Sequence, residues 1–230
     1  MTIGFAHRGA RAYERENTID AFRVALEQGA TGLESDAWLA ADGEVVLVHD
    51  EVVRAGLRRL HVGRTSSDEL AAHRVPRLRD LYETLGTGFE LSLDVKEHRA
   101  ALPIVDVARA AGDGAPARLW LCSGNAALLE ELRHADDDVR LVHSTRRKRI
   151  AVPVERHAAE LKRLRVDAIN LHYTEWTKGL VALFHRFGVR AFAWDTQETR
   201  QLRAVLEMGI DAVYCDRPDR MMAAIIQWSS

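Results

Sequence analysis

Short apolar runs alternate with longer amphipathic segments along most of the chain. The short runs, each roughly four to eight residues, are typical of buried strands, whereas the longer segments space their apolar residues as one face of a helix does. Strands are predicted near residues 3, 33, 90, 119, 141, 168, 190 and 212. Helices are predicted at 78–85, 102–111, 126–135, 155–164, 178–187, 198–208 and 220–228. The first helix is expected to start with Asn17 as its N-cap and to stop at Gly29.

This alternation predicts an α/β fold in which each strand is followed by a helix. Eight such units are typical of a closed parallel (β/α)8 barrel, the TIM barrel, which takes about 250 residues. The chain has 230 residues, so we expect one such domain over residues 1–230. A doubly wound open sheet is the alternative architecture.

One segment departs from the alternation, because a second strand-like run follows the strand near residue 33 without a helix between them. Asp42 and Gly43 are a turn signal, and the run from Val45 to Val48 is the predicted return arm of a hairpin. Folding back at this turn would place Asp36 opposite His49. We expect the arm to lie outside the barrel. A short basic insertion without regular structure is expected next, at about 51–76.

Composition and charge narrow the class of protein. Hydrophobic residues make up 47% of the chain and charged residues 29%, which is ordinary for a globular protein. The net charge of −2 argues against bulk nucleic-acid binding. Cys122 and Cys215 are expected to be buried thiols, which fits a reducing cytoplasm. Neither an integral membrane segment nor an export signal is visible, so a cytoplasmic location is expected, and the oligomeric state stays open.

Ionisable and aromatic residues gather in or just after the predicted strands, where barrel enzymes place their active sites. The residues concerned are His7, Arg8, Glu34, Asp36, Asp94, Lys96 and Trp194. Three neighbouring carboxylates would repel one another unless a cation lay between them. An all-oxygen set of ligands suits Mg²⁺ or Ca²⁺ better than zinc. We therefore expect one divalent cation at Glu34, Asp36 and Asp94.

Two histidines and two cationic side chains complete a set suited to phosphoryl transfer. Histidine ordinarily titrates near ~6.5, so His7 and His49 could take up and donate protons at neutral pH. Arg8 and Lys96 could offset the negative charge that develops on a phosphate. The set therefore predicts hydrolysis of a small phosphodiester.

The same residues fall into ordered motifs that span nearly the whole chain. The motifs are His7-Arg8-Gly9, Glu16-Asn17-Thr18, Glu34-x-Asp36, Asp42-Gly43 leading to His49-Asp50, Asp94-x-Lys96, Ala193-Trp194, and Asp216-Arg217-Pro218-Asp219. In this order they resemble the glycerophosphodiester phosphodiesterase family. The resemblance implies a TIM barrel, a Ca²⁺ or Mg²⁺ ion, and hydrolysis of glycerophosphodiesters to glycerol 3-phosphate and an alcohol.

The resemblance also implies a role for each matching residue. His7 and His49 correspond to the acid/base pair, and Glu34, Asp36 and Asp94 to the metal ligands. Arg8 and Lys96 correspond to phosphate contacts. Glu16 corresponds to the partner that orients the Arg8 region, and Trp194 to part of the substrate wall.

Three positions depart from the family pattern. Arg15 replaces the usual Pro before Glu16, Asp94 replaces the usual Glu, and the insertion after Asp50 is short and basic. The leaving alcohol, the metal, the order of the two histidines and the attacking oxygen all stay open. Two alternatives also remain, a phospholipase D-like enzyme acting on lysophospholipids and a non-catalytic barrel that binds phosphoglycerol.

Overall fold

Parallel strands close into a barrel in the computed structural model, which describes residues 2–112 and 114–229. The strands are β1 Ile3–Ala6, β2 Gly32–Leu39, β3 Val45–Leu47, β4 Val52–Ala55, β5 Arg58–His61, β6 Glu90–Val95, β7 Leu119–Ser123, β8 Arg140–Ser144, β9 Ala168–His172, β10 Arg190–Trp194 and β11 Ala212–Cys215. Around the barrel the order is β1, β2, β6, β7, β8, β9, β10 and β11, and β1 pairs in parallel with both β2 and β11. The predicted eight-stranded TIM barrel is thus confirmed, and the open sheet is excluded.

Helices surround the barrel and bury their apolar faces against the outside of the strands. They are α1 Ile19–Glu27, α2 Ser67–Ala72, α3 Leu78–Leu85, α4 Ala101–Ala111, α5 Ala126–Ala135, α6 Val154–Arg163, α7 Lys178–Arg186, α8 Thr199–Met208 and α9 Pro218–Ser229. In α8, for example, Leu202, Val205 and Leu206 are buried, as the helical spacing of apolar residues predicts. None of the helices in the described ranges is long and apolar enough to span a membrane.

The start of α1 differs from the prediction by one residue. Thr18, not Asn17, is the N-cap, and its hydroxyl accepts a hydrogen bond of 3.2 Å from the amide of Ala21. Asn17 precedes it in a left-handed conformation with φ 54°. Its side chain is buried and bonded to β2, so it is not free to cap the helix.

The hairpin after β2 is present, but its predicted register is wrong by one residue. Ala37 lies opposite Leu47, and the amide of Val48 donates to the carbonyl of Asp36 at 2.9 Å. Asp36 is therefore opposite Val48 and not His49. Neighbouring residues of a strand point to opposite faces, so a shift of one residue separates two side chains that were expected on one face. The arm β3 lies outside the barrel, as predicted.

The insertion is not the irregular segment that we expected. Strands β4 and β5 pair as an antiparallel hairpin, and α2 follows. Val53, Leu60 and Leu70 are buried in a small separate core together with Val46 of β3. Each strand has only four residues, and in β5 Leu60 is the one apolar residue, so the pattern was too weak to predict this unit.

Large aromatic side chains fill the interior of the barrel. The ring of Phe5 stacks on Tyr214 with centroids 4.9 Å apart, and Trp120 meets Phe192 at 5.0 Å. Burying each such ring contributes roughly 1.5–3 kcal/mol. The guanidinium of Arg140 covers Trp120 at 4.7 Å. The interior is therefore filled by side chains, and the open cleft, which Tyr214 also lines, lies at the carboxyl ends of the strands.

Candidate active site at the carboxyl ends of the strands

Three carboxylates meet inside the mouth of the barrel. Glu34 and Asp36 lie two residues apart on β2, so their side chains share the inward face. Asp94 lies beside Asp36 in the parallel register of β2 and β6. Ligand oxygens of all three lie within 4.8 Å of one another. The strand pairing thus brings together the three acidic residues that the sequence predicts as a cation site.

The electrostatics of this cluster favour a bound cation. Burial, together with the charges of Asp36 and Asp94, raises the pKa of Glu34 well above its usual range. Burial and the charge of Asp36 raise the pKa of Asp94 to about 6. Both shifts mean that the negative charge is poorly compensated by the protein alone. An oxygen-only set of this kind fits a hard divalent ion such as Mg²⁺ or Ca²⁺.

Asp36 is the most heavily bonded of the three carboxylates. Its Oδ1 accepts a hydrogen bond of 3.1 Å from Lys96 Nζ. Its Oδ2 accepts one of 3.3 Å from Asn17 Nδ2 and lies 3.4 Å from Arg8 Nε. Arg8 and Lys96 therefore converge on one buried acid and present positive charge at the edge of the cluster, as a phosphate site requires.

The turn after β1 places Arg8 by an unusual backbone conformation. Arg8 has φ 53° and Gly9 has φ 78°, both in the left-handed region. The amide of Arg8 then points to Glu34 and donates to its Oε2 at 2.9 Å. A Cβ on Gly9 would lie 2.8 Å from the backbone of Ala21, so glycine is required there. Such conformations typically persist where a site demands them.

His7 is held by a carboxylate that the sequence analysis did not assign a role. Its Nδ1 donates to Asp216 Oδ1 at 2.7 Å, and its Nε2 lies 3.9 Å from Glu34 Oε2. Burial alone would raise the pKa of Asp216, but the hydrogen bond and charge of His7 hold it below its usual value. An ionised Asp216 fixes the ring of His7 so that Nε2 faces the carboxylate cluster.

Asn17 is a second residue that contacts the carboxylate cluster and for which the sequence predicted no place in the site. Its Oδ1 accepts a hydrogen bond of 2.7 Å from Ser35 Oγ, while its Nδ2 donates to Asp36. Both Asn17 and Asp216 stand inside the motifs that carry the family resemblance. Their place in those motifs was the one sign in the sequence that they belong to the site. Their side-chain contacts could be known only from the folded structure.

His49 is not among the residues that line the main cleft. Together with Glu16 and Asn17 it lines a neighbouring recess of about 280 Å³. Its ring is 38% exposed, and Nδ1 lies 2.7 Å from Asp50 Oδ1. Glu16 accepts a hydrogen bond of 3.0 Å from Arg8 Nη1, which matches the orienting role that the resemblance implies.

The main cleft runs from the carboxylate cluster across the mouth of the barrel and has a volume of about 590 Å³. His7, Arg8, Glu34 and Asp94 line one side of it, and Trp194 stands in the opposite wall. Among the remaining lining residues are Ser144, Arg146, Lys148, Arg149, Asn170 and Asp195. The opening is therefore polar and carries several cationic groups on the side away from the carboxylates.

Family comparison assigns nearly the whole chain to one group. Residues 7–220 match the model of the glycerophosphoryl diester phosphodiesterase family. A glycerophosphodiester phosphodiesterase of Caldanaerobacter subterraneus is 24% identical over an alignment of 253 residues, which covers 96% of this chain and 96% of the relative. One from Bacillus altitudinis is 25% identical over 258 residues, with the same coverage of both chains.

Solved structures share the fold over almost the full length. A phosphodiesterase of Oleispira antarctica, determined in complex with the product sn-glycerol-3-phosphate, superposes with a TM-score of 0.85 at 21% identity and covers 98% of this chain and 97% of its own. A glycerophosphodiester phosphodiesterase of Thermotoga maritima has a TM-score of 0.83 at 22% identity, covering 98% of this chain and 98% of its own.

Proposed function

Because this chain belongs to the glycerophosphoryl diester phosphodiesterase family, we propose that it hydrolyses glycerophosphodiesters to glycerol 3-phosphate and an alcohol. The observation that carries the proposal is the convergence of Glu34, Asp36 and Asp94 beside His7 and Arg8 in one cleft. The relative from Oleispira antarctica, which was determined with glycerol 3-phosphate, supports the same product.

The proposed site includes one divalent cation. Glu34, Asp36 and Asp94 would hold a Mg²⁺ or Ca²⁺ ion. Such an ion would supply positive charge to offset the negative charge of a phosphate oxygen. Asp94 is one methylene shorter than the glutamate usual in the family, but it lies beside Asp36 in the strand register and within the same 4.8 Å group. The shorter side chain therefore remains compatible with a shared ion.

Arg8 and Lys96 are proposed to bind the phosphate of the substrate. Both groups already contact Asp36, so their positions are fixed before a substrate arrives. Prior fixing avoids loss of side-chain entropy on binding and keeps the charges where the transition state needs them. Glu16 orients Arg8 through its Nη1, and Trp194 forms part of the wall against which the substrate lies.

His7 and His49 are proposed to transfer the two protons of the reaction. One histidine removes a proton from the attacking water as its oxygen bonds to phosphorus. The other donates a proton to the alcohol oxygen as the old P–O bond breaks. Asp216 holds His7 in position for this transfer, and His49 lines the neighbouring recess together with Glu16, whose carboxylate bonds to Arg8. General acid and base catalysis of this kind typically contributes 10²–10⁴-fold each.

The test measures glycerol 3-phosphate release from a glycerophosphodiester by the wild type and by His7→Ala and His49→Ala variants. We expect each variant to lose about 10²-fold or more in kcat while keeping its circular dichroism spectrum. His134→Ala is the matched control, because His134 is an exposed residue on α5 whose one hydrogen bond within residues 2–112 and 114–229 is to the carbonyl of Glu130. Full activity in both His7→Ala and His49→Ala would contradict the mechanism, and no release by the wild type would favour a non-catalytic barrel.

A further inference from the structure

The wall of the cleft that faces the carboxylate cluster is basic. Arg146, Lys148 and Arg149 line it from the turn that follows β8. In the order of barrel strands, β8 and β9 stand across the mouth from β2. A substrate whose phosphodiester lies at the carboxylates would therefore extend its leaving alcohol toward this basic turn.

Contacts with the next turn of the barrel hold the basic turn in place. Glu175 accepts a hydrogen bond of 3.1 Å from the amide of Arg147 and lies 3.4 Å from Arg146 Nε. Lys148 and Arg149, in contrast, form no ion pair with any residue in the described ranges. The turn is thus anchored through one acid, while two of its cationic groups are left available to a ligand.

The other charges and rings of this wall disfavour a cationic head group. The guanidinium of Arg146 lies 5.0 Å from the centre of the Trp194 ring and already occupies one face of it. The ring of His172 meets Trp194 edge-on at 4.6 Å. Asp195, the carboxylate in this wall, is engaged by His172 Nε2 at 3.1 Å. An aromatic cage for a quaternary ammonium group is therefore not available here.

The floor between the two walls offers a hydrogen-bond acceptor. Asn170 is only 5% exposed and lines the cleft, and its Oδ1 has no hydrogen-bond donor among the described residues. Its Nδ2 faces Ser144 Oγ at 3.4 Å. A buried acceptor without a donor is unfavourable unless a ligand or water satisfies it. A hydroxyl group on the leaving alcohol would do so.

We propose that the preferred substrate is a glycerophosphodiester whose leaving alcohol is a polyol carrying a second phosphate. Lys148 and Arg149 bind that phosphate, Arg146 adds positive charge beside Trp194, and Asn170 accepts a hydrogen bond from a hydroxyl of the polyol. The cleft of about 590 Å³ falls within the range of small-molecule sites, roughly 300–1,000 Å³. This inference rests on the proposed function, because it names the substrate class of the same site.

The test compares kcat/KM for two substrates that differ by one phosphate, glycerophosphoinositol and glycerophosphoinositol 4-phosphate. We expect the wild type to have a higher kcat/KM for the phosphorylated substrate. In the K148E/R149E variant, the ratio of kcat/KM for the phosphorylated to that for the unphosphorylated substrate should fall by about 10-fold, a size typical of ion pairs that solvent screens. Both substrates are measured on the same preparation, so partial misfolding leaves the ratio unaffected. Because the two side chains are exposed, the wild-type preference should also shrink as salt is raised.

Arg147→Glu is the matched control, since Arg147 is exposed on the same turn but does not line the cleft. Its ratio should stay close to that of the wild type. Equal or better turnover of unphosphorylated glycerophosphoinositol by the wild type would overturn the inference and leave the proposed function intact. The same holds if R147E changes the ratio as much as K148E/R149E does. Failure of the wild type to hydrolyse either substrate would overturn the inference, and the proposed function would fall with it only if no other glycerophosphodiester released glycerol 3-phosphate.

Discussion

Replacing Glu34 with glutamine should stabilise the metal-free protein and remove its response to divalent cations. The substitution deletes one of three carboxylate charges that lie within 4.8 Å of one another. It keeps an oxygen that can accept the hydrogen bond from the amide of Arg8. The shape of the site is therefore nearly preserved, and the main change is electrostatic.

The size of the effect follows from the separation of the charges. Two unit charges at this distance repel by roughly 3.5 kcal/mol if the effective dielectric constant is about 20. Arg8 and Lys96 offset part of that repulsion, and the raised pKa of Glu34 relieves more of it by protonation. We expect a net gain of about 1–2 kcal/mol for Glu34→Gln without metal. For a chain of this size each kcal/mol raises Tm by about 2–4 °C.

The gain should depend on pH with a defined sign. A carboxyl group whose pKa is raised by folding contributes stability below its unfolded pKa and loses it as the pH rises through the folded value. Asp94, with a pKa of about 6, and Glu34 both belong to this class. The advantage of Glu34→Gln over the wild type should therefore grow as the pH rises toward the raised pKa of Glu34 and should shrink as the pH falls toward 4.

The assay is thermal unfolding followed by circular dichroism, with chelator and then with added Ca²⁺ or Mg²⁺. The wild type should gain about 2.7 kcal/mol when the cation is present at a hundredfold excess over its Kd. Glu34→Gln should gain little. Glu83→Gln, which removes an exposed charge on α3, serves as the control and should behave as the wild type does. Suppose instead that the metal-free Glu34→Gln protein is less stable than the wild type and gains equally from the cation. That result would show that the three carboxylates neither repel one another strongly nor bind the cation together.

Two further substitutions probe the histidines. Asp216→Asn should lower kcat by about 10–100-fold with little change in KM, because the carboxylate that orients His7 at 2.7 Å is lost while the phosphate contacts remain; steady-state kinetics measure both constants. Burial and the nearby His157 lower the pKa of His143 to about 4. As the pH falls below 6.5, this histidine therefore becomes protonated in the unfolded chain but stays neutral in the folded chain. The wild type should lose about 2 kcal/mol between pH 7 and pH 5 through this group, and His143→Gln should not, as urea unfolding at the two pH values would show.

Each of these predictions has an outcome that would contradict it. A rise in KM at unchanged kcat in Asp216→Asn would show that Asp216 acts in binding and not in positioning His7. A pH dependence of stability that is the same in His143→Gln as in the wild type would show that the buried histidine pair is not its source. His134→Gln, at an exposed position, is the control for the second experiment.

The barrel could be predicted from the sequence because its strands are local signals. Each is a short apolar run with turn residues on both sides. The strand predicted near residue 190 is Arg190–Trp194 in the structure, and the helix predicted at 78–85 is Leu78–Leu85. The hairpin of β4 and β5 was missed because its few apolar residues, such as Val53 and Leu60, form a core only once they meet β3. The packing of this hairpin against β3 depends on contacts between residues that are distant in sequence.

The site was predictable in part for the same reason. The proximity of Glu34, Asp36 and Asp94 could be predicted because neighbouring parallel strands align their carboxyl ends. The position of His49 could not, since it depends on a hairpin register that differs by one residue from the expected one. The bond between His7 and Asp216 joins the first and last barrel strands, and only closure of the barrel creates it.

The most direct test of the whole account is the rate of glycerol 3-phosphate release from a glycerophosphodiester by the wild-type protein, before and after divalent cations are removed with a chelator. We predict release that falls to background with the chelator and returns when Mg²⁺ or Ca²⁺ is restored, with no return in Glu34→Gln. Release that continues unchanged in the chelator, or that Glu34→Gln supports as well as the wild type, would contradict the claim that the three carboxylates serve the reaction through a bound cation.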